Sequence, residues 1–261
     1  MAEKVTIGNC ELWHGDCREV LPLLPRDAAI VSDPPYGIGY KHSGGGGKNH
    51  AGLNGGRPKS CAFHEEHHRV IGDDSAFDPK PWLQWQLVLL WGANHYADKL
   101  PARKSWLVWD KHLQETGLSF AECEFAWTTA PVNAKVFRHL WQGALKAGAE
   151  NATSRVHPTQ KPERLMAWCI KQIGLPAVVC DPYMGAGSTG VAAVHLGLRF
   201  VGVEIHRPYF DIACERIAAA QTQGQLFEDA KVGAGDTAVQ GDMLLPANAE
   251  LRGRPLADGP A

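Results

Sequence analysis

The stretch Asp181-Pro182-Tyr183-Met184-Gly185-Ala186-Gly187-Ser188-Thr189-Gly190 decides the fold of this 261-residue chain. It follows the apolar run Ala177-Val178-Val179-Cys180, which reads as a buried strand, and it leads into an apolar helical segment at 190–196. Glycines in such a turn let the backbone approach a small charged ligand closely. The segment therefore predicts an α/β sheet with a ligand site at the carboxyl end of a strand.

Further elements follow from apolar patterns on either side of this turn. Downstream, residues 199–204 predict a strand and 208–220 a helix, and upstream the segment 159–173, with Pro162 near its start, predicts an amphipathic helix. Little patterned chain follows Glu204, so the other strands of the sheet must come from the N-terminal half. There we predict strands at 28–31, 105–110 and 124–128, and a helix at 82–90.

A second motif, Asp33-Pro34-Pro35-Tyr36, directly follows the predicted strand at 28–31. The two prolines exclude both a helix and a central strand, so the strand ends in a loop and Asp33 lies at the edge where α/β sheets place functional groups. The motif offers a carboxylate, a carbonyl held by a stiff Pro-Pro unit, and an aromatic ring. We expect it to form one pocket with the glycine-rich turn.

Composition limits the class of protein. The seven cysteines form no Cys-x-x-Cys pair, which argues against a disulfide framework and a clustered zinc site, so we expect no metal and a reducing, cytoplasmic location. No basic segment followed by an apolar one opens the chain, and no apolar run is long enough for a bilayer. We therefore expect no membrane association.

Charge is distributed unevenly although the formal net charge is only −2. Residues 41–69 are glycine-rich and basic, whereas residues 226–261 carry scattered acids without a periodic apolar face. We predict a single domain at 1–225 that includes a mobile basic loop at 41–69, followed by a disordered or loosely packed tail. A basic loop suits a phosphate backbone, and its candidate contacts are Lys41, Lys48, Arg57 and Lys59.

Taken alone, Gly185-x-Gly187-x-x-Gly190 with Glu204 at the end of the next strand also fits a dinucleotide site, so an NAD-dependent oxidoreductase stays an alternative. Asp181 disfavours it, because a carboxylate repels a pyrophosphate but pairs with the ammonium of a methionine-like cofactor. A non-catalytic DNA-binding module is a further alternative.

From residue 5 to residue 220 the chain resembles the β group of DNA amino-methyltransferases, which use S-adenosylmethionine. In that group the Asp-Pro-Pro-Tyr motif comes first, a recognition segment follows, and the cofactor loop comes last. The supporting motifs are His14-Gly15-Asp16-Cys17, Trp106-Leu107-Val108-Trp109-Asp110-Lys111, His157-Pro158-Thr159-Gln160-Lys161-Pro162 and Phe200-Val201-Gly202-Val203-Glu204. The resemblance implies a Rossmann-like methyltransferase fold: a mixed, mostly parallel sheet with helices on both faces and a permuted motif order.

The resemblance implies roles for the residues of both motifs. Asp33 and the carbonyl of Pro34, held by Pro35, accept the hydrogens of an exocyclic amine and turn its lone pair toward the methyl group, while Tyr36 stacks on a base flipped out of the duplex. The implied cofactor residues are Asp16, Cys17, Lys161, Asp181, Gly185, Gly187, Thr189 and Glu204. A short target-recognition segment is expected at 111–156 and contains Arg138 as a further candidate DNA contact.

The implied activity is methylation of adenine N6 in double-stranded DNA, by a monomer or a homodimer. Adenine-N6 members of the group usually carry Asp-Pro-Pro-Tyr and cytosine-N4 members Ser-Pro-Pro-Tyr. Here Ser32 immediately precedes Asp33, and the register favours adenine, with cytosine-N4 as the alternative.

Overall fold

The computed structural model describes residues 2–39, 70–111, 121–142, 145–146 and 160–232. The strands are β1 (Glu3–Ile7), β2 (Cys10–His14), β3 (Ala29–Ser32), β4 (Val88–Trp91), β5 (Trp106–Asp110), β6 (Cys123–Thr128), β7 (Lys135–Arg138), β8 (Trp141–Gln142), β9 (Leu145–Lys146), β10 (Val178–Asp181) and β11 (Arg199–Glu204). The α-helices are α1 (Cys17–Val20), α2 (Glu163–Gln172), α3 (Ser188–His195) and α4 (Arg207–Val232). Short 3-10 turns lie at Leu21–Leu23, Trp82–Gln84, Ala93–His95 and Ala97–Lys99.

Nine strands form one sheet in the order β1-β2-β11-β10-β3-β4-β6-β5-β7, and β8 pairs separately with β9. The central strands β2, β11, β10, β3 and β4 run parallel to one another. Antiparallel pairs join β1 to β2, β4 to β6, and β5 to β6. The predicted fold class, a mixed and mostly parallel sheet in an α/β fold, is confirmed.

The two faces of the sheet carry different layers. Helices α2, α3 and α4 cover one face, where Leu165, Val191 and Phe210 pack against strand residues such as Leu89 and Phe200. The opposite face is covered by the short helix α1 and by 3-10 turns, with buried aromatic side chains that include Trp82, Trp85 and Tyr96. Helices therefore lie on both faces as expected, but α2, α3 and α4 share one of them.

Most of the predicted elements are present. Strands β3, β5, β6, β10 and β11 and helices α2, α3 and α4 lie where the apolar patterns place them. The predicted helix at 82–90 is wrong: a 3-10 turn, Trp82–Gln84, leads into strand β4. This strand is buried at all four positions between β3 and β6, so its sequence is apolar throughout and lacks the alternation of a half-exposed strand.

Helix α4 runs to Val232, so residues 226–232, which were expected to belong to a loose tail, are helical. The expected basic loop at 41–69 lies outside the described residues, as do residues 233–261 and much of the expected recognition segment. Across the ranges that the structure does describe, no helix has both the length and the hydropathy that a membrane span requires.

The chain order reverses between β3 and β10 at the centre of the sheet. From β3 the chain continues outward to β4, whereas from β10 it continues in the other direction to β11. In open α/β sheets a crevice forms outside the carboxyl ends of the strands at such a switch point, and ligands bind there. Asp33, which follows β3, and Asp181, which ends β10, stand on the two sides of this crevice.

Candidate active site

Asp181 is buried at the carboxyl end of β10 and accepts three hydrogen bonds. The hydroxyl of Ser32 donates to Oδ1 over 2.5 Å, the Tyr183 N–H donates to Oδ1 over 3.1 Å, and the hydroxyl of Thr189 donates to Oδ2 over 2.6 Å. Burial raises the pKa of Asp181 to about 6, although these three donors oppose the change. The bond from Ser32 joins β3 to β10 directly across the switch point.

Glu204 is the second buried carboxylate at this edge, at the end of β11. The N–H of Gly185 donates to Oε2 over 2.9 Å, and the N–H of His206 donates to Oε1 over 2.8 Å. Burial raises the pKa of Glu204 to about 7 against these two donors. Each carboxylate oxygen has two lone pairs, so Glu204 keeps acceptor capacity beyond these bonds.

Asp33 lies on the other side of the crevice, and both of its oxygens are engaged. The Tyr36 hydroxyl donates to Oδ1 over 2.5 Å, and Nζ of Lys161 donates to Oδ2 over 2.6 Å. Nζ also lies 3.1 Å from the Tyr36 hydroxyl. Burial, aided by the charge of Glu124, raises the pKa of Asp33, while the Lys161 ammonium opposes the change.

Glu124 and Lys111 extend this cluster. Oε2 of Glu124 is 2.9 Å from Nζ of Lys161, and Oε1 is 2.6 Å from Nζ of Lys111. Strand β6 runs antiparallel to β4, which brings its first residues to the edge where the parallel strands end. Burial alone would raise the pKa of Glu124, but the two ammonium groups outweigh it and lower the pKa to about 2. Glu124 is therefore a carboxylate fixed between two lysines.

The two sequence motifs meet in one pocket. It is lined by residues of both, among them Asp33, Asp181, Gly185 and Thr189, and also by Lys161. Asp33 and the glycine-rich turn thus face the same space, as the sequence predicted. Asp16, Cys17, Gly187 and Glu204 lie outside the lining of this pocket.

The ring of Tyr36 is held by its neighbours. It stacks on the imidazole of His95, with the ring centroids 5.2 Å apart and the planes 16° from parallel. Gly92, in the left-handed region at φ +67°, lies beneath the ring, and a Cβ there would come within 2.0 Å of Tyr36 Cε1. Only glycine fits at this position, because it meets both the backbone conformation and the close approach. Pro34 is buried and Pro35 is partly buried beside it.

Gly187 and Arg216 set the shape of the glycine-rich turn. Gly187 is the N-cap residue of helix α3, at φ +80°, and a Cβ there would come within 3.0 Å of Ala213 Cβ. Arg216, on α4, donates from Nη1 to the carbonyl of Ala186 and from Nη2 to Oε1 of Glu163 over 2.6 Å. Arg216 therefore ties the turn to the start of helix α2, just after Lys161.

The remaining candidate residues lie farther from the pocket. Asp16 caps helix α1, accepting from the N–H of Arg18, and its carboxylate pairs with the Arg18 side chain, which lowers its pKa. Cys17 is buried, and burial raises the pKa of its thiol to about 11. Arg138 is exposed at the end of β7, and its Nε lies 3.3 Å from Oδ2 of Asp110. The other four candidate DNA contacts, Lys41, Lys48, Arg57 and Lys59, lie outside the described residues.

Sequence reasoning missed Glu124, Lys111, Ser32 and Arg216 as members of the site. Glu124 was visible as a carboxylate in an otherwise apolar strand, which is a signal in itself because a charge seldom enters a buried strand without a partner. Its partner Lys161 could not be identified from the sequence, because the contact depends on how β6 pairs with β4. Trp127 and Trp141, which lie in the expected recognition segment, are buried side chains of the core.

The comparisons with known proteins agree with this site. Residues 108–215 match the family model described as DNA methylase, which covers amino-methyltransferases of the N6 and N4 type. The chain is 29% identical over 224 residues to the protein named "Putative methylase YubD" of Escherichia coli (strain K12), a match that covers 80% of this chain and 90% of that protein. It is 36% identical over 88 residues to the type II methyltransferase M2.DpnII of Streptococcus pneumoniae, covering 33% of this chain and 32% of the relative.

The M2.DpnII match thus spans about a third of that protein's length. Among solved structures, the M1.HpyAVI–SAM complex aligns with a TM-score of 0.48 at 22% identity, over 79% of this chain and 99% of that one. The cytosine-N4-specific PvuII DNA methyltransferase aligns with a TM-score of 0.47 at 14% identity, over 88% and 95%. The family model and the relatives confirm the resemblance to the DNA amino-methyltransferases.

Proposed function

We propose that this protein transfers a methyl group from S-adenosylmethionine to the N6 amine of adenine in DNA. The observation that carries the proposal is the shared pocket, in which the Asp33 carboxylate faces the glycine-rich turn and the buried Asp181. One side of the pocket offers acceptors for an amine, and the other offers a cradle for a small charged ligand. Transfer between two bound molecules requires this arrangement.

The cradle fits a cationic cofactor that carries hydroxyl groups. Asp181 and Glu204 are buried carboxylates whose pKa values are raised, and among the described residues neither forms an ion pair with a lysine or arginine. Such groups gain stability from a ligand that brings positive charge or hydrogen-bond donors. A sulfonium, an ammonium and a ribose diol supply both, whereas the pyrophosphate of a dinucleotide would be repelled.

S-adenosylmethionine, when bound, supplies an electrophilic methyl group on a sulfonium. We assign Asp181, Gly185, Gly187 and Thr189 to its methionine portion and Glu204 to its ribose. We also propose Asp16, Cys17 and Lys161 as contacts of the cofactor. In the structure Asp16 is paired with Arg18 and Lys161 with Asp33.

The proposed chemistry of the chain's own residues centres on Asp33. An exocyclic amine is a weak nucleophile because its lone pair is delocalised into the ring. Hydrogen bonds from the amine to Asp33 and to the Pro34 carbonyl favour a pyramidal nitrogen with a localised lone pair. The stiff Pro34–Pro35 unit fixes that carbonyl, and Tyr36, already oriented by His95 and Gly92, offers a stacking surface to a base taken out of the duplex.

The surroundings of Ser32 support adenine over cytosine. Ser32 is fully buried, and its hydroxyl donates to Asp181 inside the sheet, so it is committed away from the amine. The acceptor position of the motif therefore belongs to Asp33, in the register of Asp-Pro-Pro-Tyr. Cytosine-N4 methylation remains the second candidate, because its amine needs the same acceptors.

A labelling assay tests the proposal. The purified chain is incubated with radiolabelled S-adenosylmethionine and mixed-sequence duplex DNA, and the DNA is digested to nucleosides. We expect label on N6-methyladenine. Label on N4-methylcytosine would move the assignment to the second candidate, and cofactor binding without any transfer would favour a non-catalytic DNA-binding module.

A further inference from the structure

Lys161 donates to the Asp33 carboxylate, which in the proposed reaction accepts a hydrogen of the target amine. Its ammonium donates to Oδ2 of Asp33 over 2.6 Å, while the Tyr36 hydroxyl occupies Oδ1. Each oxygen of Asp33 keeps a second lone pair for an amino hydrogen of the base, but these two donors compete with it, and the new bond is stronger if one of them withdraws. Lys161 is the better candidate, because Tyr36 is fixed against His95 and Gly92, whereas a lysine side chain has four rotatable bonds.

Lys161 also lines the pocket that Asp33 shares with the glycine-rich turn. Its withdrawal from Asp33 would leave more room beside this carboxylate.

Glu124 is a second ion-pair partner for Lys161. Oε2 of Glu124 is buried and pairs with Nζ of Lys161 at 2.9 Å, and no other described residue donates to it. Lys111 holds the other oxygen, Oε1, at 2.6 Å and so fixes the carboxylate. A small rotation of Lys161 would give up its hydrogen bond to Asp33 and strengthen its bond to Glu124.

The buried charge of Lys161 explains why this side chain needs a second carboxylate. Lys161 is buried, with its side chain 7% exposed. A buried ammonium without a carboxylate is unfavourable by several kcal/mol, so Lys161 cannot leave Asp33 unless another anion receives it. Glu124 stays ionised between two lysines and meets this condition. Lys161 in turn compensates the charge of Asp33 while no base is present.

We propose that Glu124 is a positioning residue that draws Lys161 off Asp33 when the target amine arrives. The inference rests on the proposed function and deepens it. Lys161 bridges both carboxylates in the empty site and bonds to Glu124 alone when the base occupies Asp33. Lys111 acts through Glu124 by keeping that carboxylate in place.

A double-mutant cycle tests this role. Turnover at saturating cofactor and DNA is measured for the wild type, Glu124→Gln, Lys161→Met and the double variant, with cofactor binding and thermal melting followed on each preparation. Glu122→Gln is the matched control, because Glu122 is exposed two positions away on the same segment. If Lys161→Met does not fold, Lys161→Gln replaces it, and Glu124→Asp tests whether a retained charge rescues turnover.

We expect Glu124→Gln to lower kcat at least about tenfold with cofactor affinity within about twofold of wild type, and Glu122→Gln to change neither. In the Lys161→Met background the same Glu124 change should alter kcat by less than about twofold, because the lysine to be moved is gone. Glu124→Asp should retain more turnover than Glu124→Gln.

Equal losses in both backgrounds would show a merely structural role and overturn the inference. Wild-type kcat in Glu124→Gln would overturn it too, as would a folded, cofactor-binding Lys161→Met variant without turnover. A wild-type chain that transfers no methyl group to DNA would instead contradict the proposed function itself.

Discussion

Glu204 gives the ligand-free protein a pH-dependent stability that the substitution Glu204→Gln should remove. Burial raises the pKa of this carboxyl in the folded state to about 7 from the ordinary 4.5. The folded chain therefore holds the proton more tightly than the unfolded chain does. The resulting stabilisation is fully present below pH 4.5 and is lost as the pH rises through 7.

The size of the effect follows from the two pKa values. Their difference corresponds to about 3 to 4 kcal/mol of unfolding free energy, of which about 2 to 3 kcal/mol is lost between pH 5 and pH 8. Glutamine does not titrate, so the unfolding free energy of the wild type should fall relative to that of Glu204→Gln by this amount. The comparison cancels most of the contribution of the other titrating groups, including Asp181, because they are present in both proteins.

Urea unfolding of both proteins at a series of pH values, without cofactor, measures the difference. The absolute stability of the variant is not decisive, because glutamine accepts from only one of the two backbone N–H groups that bond to Glu204. The pH dependence of the difference is decisive. A difference that stays constant from pH 5 to pH 8, or that grows in favour of the wild type, would refute the account of Glu204.

Two further substitutions test the supports of the site. Gly92→Ala should lower methyl transfer at least about tenfold, because the new Cβ displaces the ring of Tyr36, and turnover at saturating cofactor measures it. Arg216→Met should raise the Kd for the cofactor about tenfold, since it releases the Ala186 carbonyl and Glu163 from a common anchor, and calorimetric titration measures it.

Controls separate these effects from general damage. Gly197 also has a positive φ, of +70°, but a Cβ there meets nothing within 4 Å. Gly197→Ala thus carries similar backbone strain, of about 1 kcal/mol, and should leave turnover unchanged. For Arg216 the control is Arg207→Met, which removes exposed ion pairs on the same helix. Equal effects in a variant and its control would contradict the proposed role.

The sequence predicted the meeting of the two motifs because each follows an apolar strand, and parallel strands of one sheet end at the same edge. The strand predictions alone were enough to place Asp33, after β3, and Asp181, at the end of β10, on this edge. The register of Asp-Pro-Pro-Tyr likewise assigned the acceptor to Asp33 rather than Ser32, and the burial of Ser32 against Asp181 is consistent with that assignment.

What the sequence did not predict depends on pairing between distant segments. Strand β4 was mistaken for a helix because a strand buried on both faces has no alternating pattern. Glu124 reaches Lys161 only because β6 runs antiparallel to β4. No local pattern in the sequence predicts that pairing, so the ion-pair cluster around Asp33 was found only in the three-dimensional structure.

The most direct test of the central claim is the substitution Asp33→Ala, with methyl transfer and cofactor binding measured on the same preparation. The folded state should tolerate the change because Lys161 keeps Glu124 as a partner. We predict a loss of transfer of about a thousandfold or more with a cofactor Kd within about threefold of wild type, and no change in the exposed control Asp98→Ala. Near-normal transfer by Asp33→Ala would contradict the account.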